Sequence, residues 1–433
     1  MTYSKIGITL FLILLLSACS LDVTDPNTAT DDEVISSREG IISFTRGMQG
    51  YFKETALQAV IRTPAVSTRE LAINTTFVNL VDLENGGVGL EDDNANILQN
   101  WSRLLRVVDM TSTIIDNVDN VQFSAAERSE ILVIAHIYKA MALGYLVSNF
   151  EQSPLNTDES GNAAFFSRDD VLAEAIDLLD AAETVRASTA PTSSFRTQGF
   201  EFENTIQALL ARLHLMAGND QQAIDAANGV DPTVTSIFFF DGSTSRNPIF
   251  EDVFISEDYA PQDLFGSELT ETNDERLSFF LSSEDATSTP NEFEIDILEG
   301  FFSSASSSIP VYRPGEMSLI KAEAYVNLDQ PGLAVDEINA IRTKQAADDV
   351  YGIGANLPAY TGGTSDSELY EEIYRQRRAE LFLTGLSMED MRRLNRPAVP
   401  NDPPLSAERN RNYYPYPEQE RQTNTNTPEN PAI

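Results

Sequence analysis

Lys321-Ala322-Glu323-Ala324-Tyr325-Val326-Asn327-Leu328-Asp329-Gln330-Pro331-Gly332-Leu333-Ala334 reads as a helix, a turn and the start of a second helix. The same arrangement stands upstream. Ala322 precedes Ala334 by twelve positions, and in Leu210-Ala211-Arg212-Leu213 the small Ala211 precedes Ala223 by the same twelve. A turn falls inside each pair, Leu328-Asp329-Gln330-Pro331 in one and Gly218-Asn219-Asp220 in the other. Small residues at matched places on two antiparallel helices let the backbones approach closely.

Helix patterns extend outward in both directions. Asp31 to Glu54 carries Val34, Ile41, Ile42 and Phe44, with Thr30 or Asp31 as N-cap. Ile97 to Val118 repeats Trp101, Leu104, Leu105, Val108, Ile115 and Val118 at helical spacings. Ser124-Ala125-Ala126-Glu127 is a capping box that opens a helix to about Asn149, apolar along one wide face. Phe150 to Phe166 reads as a loop, and Ser167 caps a helix through Ala182. Glu203–Gly218 and Gln221–Asn228 form the first hairpin. Glu316–Leu328 and Gly332–Gln345 form the second, followed by Ser367–Thr384 and Met388–Leu394. Between them, Ile237 to Pro310 is rich in Phe, Ser, Asp and Pro and reads as loops with short strands such as Ile249 to Ile255. The tail from Asn401 to Ile433 is expected to wrap the surface. The hairpins resemble the tetratricopeptide helix pair, whose period is about 34 residues. The expected fold is mostly α: a tetratricopeptide-like α-superhelix with an irregular, loop-rich lobe containing short strands.

At the N-terminus, Lys5 precedes an apolar run from Ile6 to Leu16, and Leu16-Ser17-Ala18-Cys19 follows. The run is shorter than the roughly 20 residues that span a membrane. It has the layout of a secretory signal, and the cysteine directly after the small residues makes it resemble a bacterial lipoprotein signal. That reading makes 1–18 a signal peptide, Cys19 the acylated first residue and 19–30 a tether broken by Pro26. The body is then 31–433: helical hairpins over about 31–230 and 316–395, an irregular lobe over about 231–315 and a tail over 396–433.

The chain holds 29 Lys plus Arg against 67 Asp plus Glu, a net charge of −38, so it is expected to repel nucleic acid and anionic head groups. Cys19 is the only cysteine, which leaves no disulfide within the chain, and His136 and His214 are the only histidines. A His/Cys metal site is not expected, nor is a His-assisted nucleophile. No catalytic residue, metal or cofactor is assigned, and the chain is not expected to be an enzyme.

Further motifs fall in a family order. Leu21-Asp22-Val23-Thr24-Asp25-Pro26-Asn27 follows the lipobox, and Trp101 leads to Ile114-Ile115-Asp116-Asn117. Ile309-Pro310-Val311-Tyr312-Arg313-Pro314-Gly315-Glu316-Met317 runs into Ala322-Glu323-Ala324 and then Ile338-Asn339-Ala340-Ile341-Arg342. Arg377-Arg378-Ala379-Glu380-Leu381 precedes Gly385 and Asp390-Met391-Arg392-Arg393, and Tyr414-Pro415-Tyr416-Pro417 with Glu420 closes the chain. Over nearly its whole length the sequence resembles the SusD/RagB family of outer-membrane lipoproteins. Gln376, Thr384 and Ser387 depart from the family pattern and alter salt bridges near the last helices.

The resemblance implies a lipid-anchored outer-membrane protein facing the cell exterior. It implies capture of an oligosaccharide, or in some members a peptide, as the lid of a SusC-like TonB-dependent barrel. A protein-binding tetratricopeptide scaffold and a lipid-anchored glycoside hydrolase are the competing classes. Sugar capture needs aromatic faces beside polar groups. Trp101 is one candidate, although its apolar stripe suits the core as well. In the middle region Tyr259, Phe265, Phe301 and Phe302, with Phe238, Phe239 and Phe240, are candidates for a ligand platform or for packing. Arg313 with Glu316, and Arg378 with Glu380, are read as parts of an internal ion-pair lattice and not as acid/base pairs.

Overall fold

A computed structural model describes residues 35–158, 160–262, 271, 273–397 and 409–432, with the side chains of 283–287 left out of the description. Cys19, the signal and tether, and Phe265 lie outside the described residues. The helices are α1 (Arg38–Tyr51), α2 (Leu57–Ser67), α3 (Val78–Asn85), α4 (Ala95–Asn117), α5 (Ala125–Asn149), α6 (Arg168–Ser188), α7 (Phe202–Met216) and α8 (Asp220–Asn228). They continue with α9 (Arg276–Phe280), α10 (Pro314–Asn327), α11 (Pro331–Arg342), α12 (Asp366–Glu380), α13 (Ser387–Leu394) and α14 (Glu418–Thr423).

From α4 onward each main helix packs on its successor: α4 on α5, α5 on α6, α6 on α7, α7 on α8. The order then jumps from α8 to α10, and continues α10 on α11, α11 on α12, α12 on α13. The two hairpins separated by the irregular middle are therefore spatial neighbours, and the middle is an insertion between adjacent repeats. Ala211, Ala223, Ala322 and Ala334 are all fully buried, as close helix approach requires.

The two hairpin turns are built alike. Asn219 N–H bonds His214 O and Gly218 N–H bonds Leu215 O; Gln330 N–H bonds Tyr325 O and Asp329 N–H bonds Val326 O. This is the Schellman pattern, which needs a left-handed residue past the helix end. Gly218 supplies it at φ 74 and Asp329 at φ 55.

The capping box at α5 forms in full: Ser124 Oγ accepts from Glu127 N at 3.3 Å and Glu127 Oε2 accepts from Ser124 N at 3.0 Å. Helix α5 is apolar on more than one face. Every residue from Ser129 to Asn149 is buried, because α1, α4, α6, α7 and α13 surround it. It is long and apolar enough to cross a membrane, but 94% of its most apolar window is buried inside the fold, which makes it a core helix.

Several sequence expectations need correction. Pro248–Ile255 is helical, a turn at Pro248–Phe250 running into a π-helical turn at Glu251–Ile255, and not a strand. Asn247 caps it by accepting from Ile249 N and Phe250 N, with Pro248 at the first helical position; these local signals outweigh the β-branched residues. The 150–166 connection is not wholly a loop, since β2 (Gln152–Pro154) pairs antiparallel with β3 (Phe165–Ser167). Helix α2 shows no amphipathic period because ten of its eleven residues are buried, and α3 is too short to carry one.

The middle region supplies β4 (Ile237–Phe238), β5 (Tyr259–Pro261), β6 (Leu281–Ser288), β7 (Glu294–Leu298) and β8 (Ile309–Pro310). Among the described residues all sheets are two-stranded and antiparallel; β5 pairs with β1 (Leu71–Ile73) and β8 with β4. Phe238, Phe240, Tyr259, Phe280 and Phe302 join the same continuous core as α1–α7, so the insertion shares that core instead of having a small one of its own.

Candidate functional site

Among the candidate platform aromatics, Tyr259, Phe301 and Phe302 are engaged in packing. Tyr259 is 3% exposed in β5, with the Arg62 guanidinium 5.3 Å from its ring centroid. Phe302 is fully buried. Phe301 is half-buried among Phe279, Phe280, Phe302 and Tyr351, and the Arg313 guanidinium lies 5.0 Å from the centroids of both Phe280 and Phe301. Cation–π contacts of this kind hold the insertion to the C-terminal helices. Neither Tyr259 nor Phe302 offers a face to a ligand.

Trp101 is 1% exposed, so it is no stacking surface either. Its ring lies parallel to Phe165 at 5.7 Å and edge-on to Phe150 at 4.8 Å and Tyr416 at 5.8 Å. The indole N–H is satisfied from the tail: Nε1 donates to Glu420 Oε2 at 3.1 Å. A buried Trp needs such an acceptor.

That bond leads to a cleft of about 140 Å³, where the β2–β3 connection meets α4 and α14. Its polar wall is Thr157, Asp158, Glu420, Thr423 and Asn424, and its apolar wall includes Leu105 and Pro154. The cleft exceeds the roughly 30 Å³ share of one water and falls below the roughly 300 Å³ of pockets that engulf a drug-sized ligand. Glu420 is fixed on both oxygens, since Asn424 Nδ2 donates to Oε1 at 2.9 Å. Asn424 also donates to Ala163 O at 2.9 Å. Thr157 Oγ1 donates to Asp109 Oδ1 at 2.9 Å, and Lys139 Nζ holds the preceding Asn156 Oδ1 at 2.6 Å. The result is a preset group of carboxylates, a hydroxyl and an amide beside a small apolar wall. It is suited to a hydroxyl-rich ligand. No single motif announced Asp158, Thr157 or Asn424, and Glu420 stood out in the sequence only as part of the closing Tyr414–Pro417 segment.

The Arg-rich C-terminus forms the ion-pair lattice, with different partners from those adjacent in sequence. Glu316 pairs with Arg212, not Arg313, at 2.6 and 2.8 Å in a two-pronged contact. Glu380 pairs with Arg276 at 3.1 Å and Lys344 at 2.5 Å, while Arg378 faces Glu70 at 3.8 Å. Arg313 donates to the carbonyls of Glu380 and Phe382 at 2.6 and 2.9 Å. Arg393 bridges Glu323 and Asp390, and Arg377 also reaches Asp390. Gln376 serves as a neutral link, accepting from Arg276 at 2.6 Å and donating to Glu372 at 2.8 Å.

Burial acts to raise the Glu389 carboxyl, but the guanidiniums of Arg392, Arg168 and Arg393 outweigh it and hold it down to about 2. A carboxyl depressed on folding adds stability above its unfolded value of about 4.5 and loses it as pH falls toward 2. Glu389 therefore contributes about 3 kcal/mol at neutral pH. Denaturant unfolding measured from pH 6 down to 2 is expected to show a shallower acid loss in Glu389→Gln than in the parent. Parallel curves would exclude this role. Glu70 acts with the opposite sign: burial raises it to about 7 despite Arg378, so its contribution is full below about 4.5 and is lost as pH rises through 7.

His136 is buried on α5, and burial with nearby Lys139 lowers it to about 4. Burial also lowers His214, whose Nδ1 lies 3.3 Å from Asn219 Nδ2. Among the described residues no group of three or more His, Cys, Asp or Glu could hold a metal ion.

Residues 301–432 match the SusD family. The fold is similar to that of a SusD superfamily protein from Bacteroides vulgatus ATCC 8482 at 16% identity, covering 91% of this chain and 99% of that one with a TM-score of 0.68. It is similar to a SusD-like carbohydrate binding protein from the same organism at 16% identity, covering 90% and 96% with a TM-score of 0.69. A SusD-like carbohydrate binding protein from Bacteroides fragilis NCTC 9343 is 15% identical, with 91% and 99% covered and a TM-score of 0.69. No curated protein matches the chain in sequence.

Proposed function

We propose that this chain, which carries the SusD family pattern in its C-terminal third and the SusD superfamily fold throughout, is a nutrient-binding protein of the outer membrane. It captures an oligosaccharide and passes it to a SusC-like TonB-dependent barrel. The observation that carries the reading is the likeness to SusD-like carbohydrate binding proteins over about nine-tenths of both chains. The polar cleft at Glu420 and Asp158 supports it, because carboxylates and amides held in place accept hydroxyl donors without paying to reorganise.

The test is binding to a broad oligosaccharide panel by calorimetry, repeated with Glu420→Gln. Losing a hydrogen bond to a charged group costs about 1.5–3 kcal/mol, so affinity should fall by about 10- to 100-fold; melting temperature should fall as well, because glutamine keeps only one of the two internal contacts of Glu420. Reducing-end release from any panel member would favour the hydrolase class instead.

One observation favours a second reading, peptide capture: among the described residues no aromatic ring lines the cleft to stack on a sugar. Peptides in the same panel separate the two. Anchoring belongs to Cys19, whose acylation would tether the body to the outer membrane facing outward. Fatty-acid labelling that persists in Cys19→Ala would sink it.

A further inference from the structure

Among the described residues, two arginines near the C-terminus sit in the fold without an acid partner. Arg409 is 6% exposed and Arg411 is 8% exposed. Arg409 donates from Nη1 to Met391 O at 2.9 Å, Pro397 O at 3.0 Å and Asn395 Oδ1 at 3.0 Å, and from Nη2 to Asn412 Oδ1. Arg411 donates from Nη1 to Tyr413 O at 3.1 Å and from Nη2 to Gly87 O at 2.7 Å. Every acceptor is neutral. The Nε donor of each arginine is buried and has no partner. Among the described residues no carboxylate pairs with either.

The contrast with Arg313 sharpens this. Arg313 is also bonded only to carbonyls, yet Glu380, Glu70 and Glu316 act on it electrostatically. Arg409 feels burial, then Arg392, a further positive charge, and Tyr374. Arg411 feels burial and Tyr414. Among the described residues, these two buried positive charges have no carboxylate counter-charge, although the chain's net charge is −38. Burying a charge without a counter-charge is costly.

Between these residues lies a cavity of about 10 Å³, room for one water-sized sphere, walled by Arg409, Asn410, Arg411, Ser67, Thr68 and Met391. We propose that this cavity binds a single monatomic anion, chloride, which compensates both guanidiniums through their free Nε donors. Polyatomic oxyanions are too large for it. A water would satisfy the donors and leave the charges unbalanced.

The position gives the ion a structural task. It joins the end of α2 at Ser67 and Thr68, helix α13 at Met391 and the C-terminal segment at Arg409–Arg411. These parts already meet through Tyr414 Oη donating to Ser67 Oγ at 2.8 Å and the Thr68–Ser387 hydroxyl contact at 2.8 Å. An anion there pins the returning chain against both helices.

The test compares full-length protein in sodium chloride, sodium bromide and sodium gluconate at equal ionic strength, which holds surface screening constant. Melting temperature should be higher in chloride and bromide than in gluconate by on the order of 2 °C. The difference should vanish in Arg411→Gln. Bromide soaked into crystals of the unaltered chain should give an anomalous peak between Arg409 and Arg411, a readout that does not depend on the variant folding. Equal melting in all three salts, or a bromide map empty at this site, overturns the assignment.

Discussion

Arg212→Ala is expected to destabilise the protein by about 3–5 kcal/mol, as breaking one side of a buried ion pair does. Arg212 lies on α7 and its partner Glu316, 1% exposed, opens α10. The two contacts, at 2.6 and 2.8 Å, tie the last helix pair before the insertion to the first one after it. Removing the guanidinium leaves a buried carboxylate without its two-pronged partner. The pair is not expected to be the best stabiliser the site could hold, since its desolvation offsets much of its attraction. An Arg212→Met/Glu316→Leu double variant should therefore lose less than Arg212→Ala alone. Urea unfolding of the three proteins checks both statements. A single variant within 1 kcal/mol of the parent would show that the contact does not join the two halves.

Trp101→Ala should cost about 3–5 kcal/mol, the usual range for deleting a buried large aromatic. The ring sits where α4, the β2–β3 hairpin and the tail meet, in contact with Phe150, Phe165 and Tyr416. Truncation opens a void under all three. Trp101→Phe keeps an aromatic ring in the cluster but removes part of the indole together with the N–H that holds Glu420. It should melt between Trp101→Ala and the parent and bind oligosaccharide several-fold more weakly, because Glu420 is then held by Asn424 alone. Unchanged stability with lost binding in Trp101→Ala would instead place the indole against the ligand and refute the core assignment.

The helices read from sequence are those with an amphipathic stripe and a cap. Helix α4 and the Ser124 box are examples, found within two residues of their expected ends. The missed elements lack that signature. Helix α2 is buried all round, and the 248–255 turn carries β-branched residues on a helical frame set by Asn247 and Pro248. The candidate site was less legible. A sequence gives an aromatic's identity and not its exposure, so Tyr259 and Phe302 looked as available for a ligand as for the core. The cleft wall comes from 105, 154–163 and 420–424, stretches that only tertiary packing brings together.

The sequence by itself determined the fold class, the two matched hairpins and the family pattern from Ile309 to Glu420. Those depend on residue spacing within one helix or across one turn, and spacing is a local property. Only the tertiary structure decided that the hairpins are neighbours across the insertion and that Glu316 answers to Arg212. It also decided that Trp101 is buried with its N–H on Glu420, and that Arg409 and Arg411 share a cavity whose described lining holds no acid. Each of these depends on which distant groups exclude water from one another, and that is fixed when the helices close on a common core.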